Sequence, residues 1–543
     1  MTVSLPRLAC ALVLVLTACD HGAPTSQAPD AAPDVASDVA LPAGTVTTDH
    51  GPVIGHATGA VTAYLGIPYA APPVGPLRWR ATTDAAPWTQ PFDAAALGPA
   101  CAQTAGGIGQ SGPYSEDCLT VNVWTPSPSA SAKAEVLVFF HGGAFVHGSS
   151  NQAGYDGATI AATGGTVVVT LNYRLGVLGF LAHPAMTAED EHHSSGNTGL
   201  LDQLAALRWV QANIAAFGGD PGNVTVFGES AGGMSTCLLV TSPLAAGLFH
   251  RAISESGPCT RFQTPLHSAA DGSVVGAEAV GQAVAQTLGC DTASDVLGCM
   301  RSRSVDDVLA ATPVSPGGAA AGLQLKPNID GYVLAEPPAQ AFAAGRINPI
   351  DGYLQGINHD EATLFTQSTT IDTEADYEAA VAHVLPTHTS DALAVYPAAS
   401  YPTPKDAYDA MITDLVFACP ARAVARTVAA HGGTAYLYEL TRVTAFGAAT
   451  GLDVYHGSEL PFVFGNLTVR SGRSAADRAF SEQMIGYWTR FARTGDPNGD
   501  DAVAWPARSA ATEAYLELAT PFQARTGLHA TTCDAIEAWA AQP

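Results

Sequence analysis

The chain has 543 residues, and its content of 47% apolar and 13% charged residues is enough for a large buried core. Acidic residues outnumber basic ones 49 to 23, which gives a net charge of −26. This charge argues against nucleic acid as a partner and against electrostatic attraction to anionic lipid.

The N-terminus resembles an export signal rather than part of the fold. Arg7 precedes an apolar run, Leu8 to Leu16, that is too short to span a bilayer as a mature helix. Small residues then lead to Cys19, as in bacterial lipoprotein signals whose cysteine is lipidated and becomes the first residue. The alternative is an ordinary secretory signal cleaved near Ala18 or Ala23. We therefore expect an exported protein, either a membrane-anchored lipoprotein or a periplasmic or secreted protein.

Three segments are predicted: a signal peptide over 1–18, a tether over 19–44 and a single folded domain over 45–543. The tether is rich in Ala, Pro and Asp and has too little apolar surface to fold. Once Cys10 and Cys19 are set aside, eight cysteines remain in a protein exported to an oxidising compartment. No CxxC, HExxH or local His/Cys cluster has metal spacing, so we expect disulfides and no metal site.

Strand and helix patterns alternate along the folded part. Residues 45–100 indicate an antiparallel opening region, and 200–217 has the apolar spacing of a helix. Strand composition recurs at 121–124, 136–140, 166–171, 224–227, 251–254, 353–357 and 435–438. This alternation predicts a mostly parallel, doubly wound α/β sheet. Two Ala-rich stretches, 260–345 and 366–430, are predicted to be helical excursions that wall a pocket above the sheet.

A G-x-S-x-G pattern, Gly-Glu-Ser-Ala-Gly over 228–232, lies between a short strand and a helix-compatible segment. A nucleophilic serine must stand on a sharp turn, where a base reaches its Oγ from one side and a substrate from the other. Glycine at positions 228 and 232 avoids clashes in such a turn. The pattern predicts Ser230 as a nucleophile, and the alternative is a glycine-rich turn with a bystander serine.

Hydrolysis through serine also needs donors for the developing oxyanion. Residues 141–145, His-Gly-Gly-Ala-Phe, follow a predicted strand as an HGGG-type loop. The predicted donors are the backbone N–H groups of Gly143, Ala144 and Ala231.

The base and its orienting acid are expected after the serine, in the order acid and then histidine. Among sixteen histidines, His456 lies in a turn after a strand and is the predicted base. Asp360 and Glu361 both follow the strand at 353–357, and their spacing alone does not choose between them. An acid-rich helix N-terminus is the alternative for this pair.

Seven ordered motifs resemble the type-B carboxylesterase family, which includes cholinesterases, bile-salt lipases and fungal lipases. They lie at 66–79, 115–124, 141–145, 227–233, 358–361, 455–459 and 487–498. The resemblance covers about residues 46–535 and implies an α/β-hydrolase fold, with a large, mostly parallel sheet, helices on both faces and helical excursions over the active site. It implies Ser230 as nucleophile, Glu361 as acid and His456 as base, without a cofactor. Glu229 and Ser256 resemble residues that support the site in the family.

The family's disulfide pattern carries over by the same resemblance. It implies three bridges, Cys101–Cys118, Cys290–Cys299 and Cys419–Cys533. Cys237 and Cys259 are then left over, and for them we expect a fourth bridge beside the serine turn, with two buried thiols as the alternative.

The sequence therefore predicts a serine carboxylesterase that hydrolyses small-molecule esters of short to medium acyl chains through an acyl-enzyme. The segment between Cys101 and Cys118 has no tryptophan, which cholinesterases use to hold a quaternary ammonium group, and choline esters are not expected. The same segment is short, which disfavours a lipase with a long flap. Two alternatives stay open, a long-chain acylglycerol lipase and a non-catalytic cholinesterase-like binding protein. The sequence leaves the oligomeric state open.

Overall fold

An eleven-stranded sheet forms the centre of the fold. The computed structural model describes residues 42–104, 113–261, 264–270, 274–312, 325–500, 502–509 and 512–540. The strands of the sheet are β1 (His56–Thr58), β2 (Val61–Pro68), β3 (Thr120–Thr125), β4 (Ala134–Phe140), β5 (Val167–Leu171), β6 (Gly219–Glu229), β7 (Arg251–Glu255), β8 (Gly352–Asn358), β9 (Ala435–Leu440), β10 (Ala514–Leu518) and β11 (Gln523–Thr526).

The spatial order of the strands is β1-β2-β3-β5-β4-β6-β7-β8-β9-β10-β11. In this order, all neighbouring pairs from β5 to β10 are parallel. The pairs β1–β2, β2–β3, β3–β5 and β10–β11 are antiparallel. Parallel neighbours require crossover connections, which are mostly helical. The antiparallel opening region and the mostly parallel sheet agree with the sequence prediction.

Helices alternate with the strands and cover both faces of the sheet. They are α1 (Ala158–Gly164), α2 (Gly176–Gly179), α3 (Pro184–Glu189), α4 (Thr198–Asn213), α5 (Ala231–Thr241), α6 (Ala277–Thr287), α7 (Val296–Arg301), α8 (Val305–Ala310), α9 (Pro338–Ala343), α10 (Glu374–Val384), α11 (Thr389–Val395), α12 (Pro404–Thr413), α13 (Cys419–Ala430), α14 (Ala445–Thr450), α15 (Leu460–Phe464), α16 (Ala475–Thr494) and α17 (Ala530–Ala540). Shorter strands pair outside the main sheet at Thr45–Thr47, Pro52–Ile54, Phe92–Asp93, Ala100–Cys101, Tyr114–Ser115, Thr264–Pro265 and Asn328–Ile329.

The strand β4 shows how the sheet divides the core into two layers. Val136 and Val138 pack in one layer with side chains of α4, α5 and α13. Leu137 and Phe139 pack in the other layer with side chains of α1, α15 and α16. Because successive side chains of a strand point to opposite faces, a strand covered on both faces is apolar throughout. Burial on both faces therefore explains the continuous apolar runs from which the sequence predicted buried strands.

The two predicted helical excursions differ from expectation in one respect. The first contains α6 to α9, and its residues 313–324 lie outside the described part. The second contains α10 to α12, which share an apolar cluster with α17. Its last helix, α13, instead packs on β8 and β9 as part of the layer that covers the sheet. Alanine-rich composition therefore did not separate an excursion from a helix packed closely on the sheet.

Four disulfides lie within the described residues, and they include the three bridges that the family resemblance implies. The fourth is Cys237–Cys259, the bridge expected beside the serine turn, so these two cysteines are bonded rather than free thiols. A set of disulfides fits the oxidising compartment that an exported protein meets. The bonds join Cys101–Cys118, Cys237–Cys259, Cys290–Cys299 and Cys419–Cys533.

No helix within the described residues is both long enough and apolar enough to cross a membrane. The predicted signal peptide over 1–18, the lipidation candidate Cys19 and all of the tether before residue 42 lie outside the described residues.

Candidate active site

Ser230 occupies the sharp turn between β6 and α5. Its φ of 56° and ψ of −121° lie in a region that residues with a side chain rarely adopt. The Ser230 N–H donates to the carbonyl of Glu255 at 2.9 Å, and its carbonyl accepts from the N–H of Met234 at 2.7 Å. The strained turn is thus held from both sides, and it presents a partly exposed serine at the end of a buried strand.

The glycines that flank Ser230 allow three backbone segments to meet at the turn. A Cβ atom at Gly232 would collide with the carbonyl oxygen of Phe140 at the end of β4. A Cβ atom at Gly228 would meet the backbone of Gly232. The close approach of β4, β6 and α5 therefore explains the glycine pattern that marks the motif in the sequence.

The His141–Phe145 loop begins where β4 ends and lies directly against Ser230. A Cβ atom on Gly142 would lie 3.1 Å from the Cβ of Ser230. The loop turns through positive φ at Gly143 (112°) and Ala144 (55°), and the carbonyl of Gly143 accepts two backbone N–H groups further along the loop. Among the described residues, the N–H groups of Gly143, Ala144 and Ala231 donate no hydrogen bond. The loop therefore places backbone donors next to the serine.

His141 anchors the start of this loop. Its ring stacks on Tyr173 with centroids 4.4 Å apart, and the Tyr173 hydroxyl donates to the His141 carbonyl at 2.7 Å. Burial lowers the pKa of His141 to about 4. His141 is therefore neutral near pH 7, and its contacts with Tyr173 hold the start of the loop.

His456 and Glu361 form a buried pair beside this turn. His456 Nδ1 lies 2.5 Å from Glu361 Oε2, and Glu361 Oε1 accepts the N–H of Asn358 at 2.8 Å. The other ring nitrogen, Nε2, lies 3.1 Å from Glu229 Oε1 and makes no hydrogen bond within the described part of the chain, including none to Ser230. Because Glu229 is the residue before Ser230, the free nitrogen of the imidazole reaches the serine turn.

Three buried glutamates act on this one imidazole: Glu229, Glu361 and Glu459. Burial raises the pKa of Glu229 to about 7 and that of Glu459 to about 8. Burial lowers the pKa of His456, but the charges of Glu229 and Glu361 outweigh that effect and raise it to about 9. The site therefore favours a positive charge on the imidazole.

Two aromatic rings complete the surroundings of His456. The ring of Phe365 lies 4.8 Å from the imidazole, and that of Phe417 lies 5.0 Å from it. The two phenyl rings stack on each other at 5.9 Å. Phe365 is 36% exposed, so this pair forms an apolar wall between the imidazole and solvent.

Comparisons with known proteins identify the family of this chain. The model of the carboxylesterase family matches residues 42–536. The chain belongs to the carboxylesterase family. It is 37% identical over 478 residues to para-nitrobenzyl esterase of Bacillus subtilis (strain 168), a match that covers 85% of this chain and 92% of that protein.

Two further comparisons support membership of the carboxylesterase family. The chain is 34% identical over 517 residues to carboxylesterase 1D of Mus musculus, covering 86% of this chain and 87% of that protein. A solved structure of PNB esterase matches with a TM-score of 0.77 and 34% identity, covering 90% of this chain and 99% of that chain. The predicted α/β-hydrolase fold is confirmed, and family membership supports carboxylic ester hydrolysis as the reaction class.

The structure distinguishes Asp360 from Glu361, the two candidates for the acid that orients the base, between which sequence spacing did not choose. Glu361 contacts the imidazole of His456, whereas the Asp360 carboxylate accepts the N–H of Val454 at 3.0 Å. Asp360 therefore holds the backbone just before His456 in place.

Sequence reasoning missed the wall made by Phe365 and Phe417. Phe365 lies in a short segment after a 3₁₀ turn, and Phe417 lies in a π-helical turn, Asp414–Ala418. Nothing in the local pattern of either segment indicates a contact with a histidine from another part of the chain.

Proposed function

We propose that this carboxylesterase-family chain is a serine esterase that hydrolyses esters of short to medium acyl chains through an acyl-enzyme on Ser230. The observation that carries this proposal is the buried Glu361–His456 pair, whose free nitrogen reaches the strained turn of Ser230. A nucleophile, a base and an orienting acid in this arrangement are the parts that acyl transfer to serine requires.

In the proposed reaction, His456 Nε2 takes the hydroxyl proton of Ser230 as Oγ attacks the ester carbonyl carbon. The negative oxygen of the tetrahedral intermediate accepts hydrogen bonds from the N–H groups of Gly143, Ala144 and Ala231. Each such donor is worth about 3 kcal/mol of transition-state stabilisation. The alcohol leaves with the proton from His456, and a water molecule repeats the sequence to release the acid. Glu361 holds the imidazole in the tautomer that this cycle requires.

The proposal needs a hydrogen bond between Ser230 and His456 that the structure does not contain. Such bonds are commonly long in free enzymes and tighten when substrate binds. We therefore expect His456 Nε2 to turn from Glu229 towards Ser230 Oγ in the complex with substrate.

Two features support short to medium acyl chains. The Phe365–Phe417 wall packs on the imidazole of the base, and we infer that it narrows the space beside the serine. The loop closed by Cys101 and Cys118 spans a separation of 17 residues, too short for a long flap over the site.

Hydrolysis of p-nitrophenyl esters from acetate to palmitate tests the proposed function, with Ser230→Ala as the blank. We expect the largest kcat/KM between two and six acyl carbons, with no activity above background in the variant. A maximum at long chains supports an acylglycerol lipase instead. If no ester is turned over faster than by the variant, the non-catalytic binding protein becomes the better description.

The Glu229→Gln variant is expected to shift the pH dependence of kcat/KM to lower pH. The base must be neutral, and three carboxylates that face His456 (Glu229, Glu361 and Glu459) raise its pKa to about 9. Removing the negative charge at Glu229 destabilises the imidazolium and lowers this pKa, so activity appears at lower pH. An opposite charge at this distance shifts a pKa by about one to three units. The rising limb of kcat/KM against pH measures the pKa in the free enzyme.

The matched control for this variant is Glu191→Gln, because the Glu191 side chain is 86% exposed on the surface. It makes the same chemical change away from the imidazole, and its pH profile should equal that of the wild type. A Glu229→Gln profile that stays in place or moves to higher pH contradicts the electrostatic explanation.

A further inference from the structure

Two histidines and a glutamate from three distant parts of the chain meet in a cluster that contains no member of the proposed triad. His359 directly follows β8, Glu439 lies in β9, and His529 directly precedes α17. The Nδ1 atom of His359 lies 2.7 Å from Glu439 Oε1, and the Nε2 atom of His529 lies 3.1 Å from the same oxygen. One ligand atom from each of the three residues lies within 4.8 Å of the others.

The backbone holds all three side chains in fixed positions. The strands β8 and β9 are parallel neighbours, with Ile357 opposite Glu439, and the N–H of His359 extends the pairing to the carbonyl of Leu440 at 3.0 Å. The carbonyl of His529 accepts the N–H of Cys533 at 2.9 Å, in the first turn of a helix that a disulfide ties to Cys419. The side chains of His359, Glu439 and His529 are thus held together before any ion binds.

A buried carboxylate fixes the orientation of one imidazole. The Nδ1 atom of His529 hydrogen bonds to Asp414, which is 2% exposed and also accepts the hydroxyl of Tyr396 at 2.7 Å. Nδ1 is therefore the donor to Asp414, and Nε2 of the same ring faces the Glu439 carboxylate at 3.1 Å. A proton on Nε2 joins the two groups as an ion pair, and a divalent cation can replace that proton as the link between the imidazole and the carboxylate. Histidines that bind metal ions usually make this type of outer hydrogen bond to a carboxylate.

The cluster is open to solvent on one side. His359 and His529 line a cavity of about 1180 Å³, and their side chains are 52% and 21% exposed, whereas that of Glu439 is 7% exposed. Other acids line the same cavity, among them Asp360 and Asp453. An ion can enter from this cavity, and water can occupy the coordination position that the protein leaves free.

We propose that His359, Glu439 and His529 bind a zinc ion, with water as a further ligand. Two imidazole nitrogens and one carboxylate oxygen are a ligand set that Zn²⁺ binds in open sites. Ligand atoms at about 2.1 Å from a tetrahedral ion lie about 3.4 Å apart. The Glu439 oxygen, at 2.7 Å from His359 Nδ1 and 3.1 Å from His529 Nε2, therefore has to withdraw by about 0.7 Å from the first and about 0.3 Å from the second. The ion cross-links the ends of β8 and β9 to the start of α17.

Titration of the full chain with ZnCl₂ tests the site, after EDTA treatment and dialysis. Isothermal titration calorimetry should give one saturable equivalent of Zn²⁺, and the thermal midpoint should rise with Zn²⁺. His359→Ala, Glu439→Gln and His529→Ala should each weaken binding by at least about 100-fold, because loss of an outer partner alone costs 10- to 100-fold. Co²⁺ in place of Zn²⁺ should give visible absorption bands that the same variants lose.

The matched control is His267→Ala. His267 also hydrogen bonds to a glutamate, Glu278, at 2.7 Å, and its side chain is exposed, but the metal cluster does not include it. This variant should bind one equivalent like the wild type. His359→Ala decides the outcome if the more buried variants do not fold, because its side chain is half exposed. The absence of saturable binding to the folded wild type, or binding that survives in His359→Ala, overturns the proposal.

Discussion

Replacing Ser230 with alanine is expected to lower kcat for p-nitrophenyl acetate by about 10⁶-fold. The variant removes the atom that forms the acyl bond, while the turn, the oxyanion loop and the Glu361–His456 pair stay in place. Alanine fits the strained backbone no worse than serine, because both residues have a Cβ atom at the same φ of 56°. The loss therefore reports chemistry rather than folding, and initial rates at saturating substrate measure it.

Ser235→Ala provides the matched control, because Ser235 is a buried serine of α5, the helix that follows Ser230, and its hydroxyl accepts a hydrogen bond from Gln203 at 3.0 Å. We expect its kcat to equal that of the wild type. A fluorophosphonate probe should label the wild type and Ser235→Ala once per chain and leave Ser230→Ala unlabelled. Activity of Ser230→Ala at even one hundredth of the wild-type rate contradicts an acyl-enzyme on this residue.

Glu361→Gln is expected to lower kcat by about 10⁴-fold, the loss typical for a triad acid replaced by its amide. Glu361 is fully buried, and its Oε2 lies 2.5 Å from His456 Nδ1, so no water replaces its charge. The amide does not stabilise the imidazolium that forms during attack. It also offers an N–H donor to Nδ1, which favours the tautomer that leaves Nε2 protonated and unable to act as base.

Asp360→Asn makes the same carboxyl-to-amide change one residue earlier. Its side-chain oxygen still accepts the N–H of Val454, the bond that Asp360 makes in the structure at 3.0 Å. We expect kcat close to that of the wild type. A larger loss in Asp360→Asn than in Glu361→Gln would reverse the assignment of the acid. The pair of variants tests the choice that the spacing of acids in the sequence left open.

The parts of the site that depend on local geometry could be predicted from the sequence. The turn of Ser230 and the oxyanion loop need glycine at fixed positions after a strand, and close backbone contacts impose that need. The pairing of Glu361 with His456 has no local signature, because it depends on how β8 and a later loop meet across the fold. This pairing was predicted only from the order of the triad residues along the chain and from the family resemblance.

The structure contains elements that the sequence pattern did not indicate. The strands β10 and β11 extend the sheet at one edge, where β10 alternates buried and half-buried residues and lacks the continuous apolar run of the central strands. The sequence pattern also did not indicate the cluster of His359, Glu439 and His529, because the three residues are far apart in the sequence. A search for metal motifs uses short spacings, whereas these residues are brought together by strand register and by the Cys419–Cys533 bond.

The Cys419–Cys533 bond has a consequence for proteolysis. It closes a loop with a sequence separation of 114 residues, and this loop contains His456. Val469, in the connection between α15 and α16, is 76% exposed and offers a protease an accessible site. A single cut there leaves two polypeptides joined by the disulfide, with Ser230, Glu361 and His456 all on the N-terminal piece. Such a nicked molecule migrates as one species without reductant and as two with it, and its halves stay together as long as the compartment is oxidising.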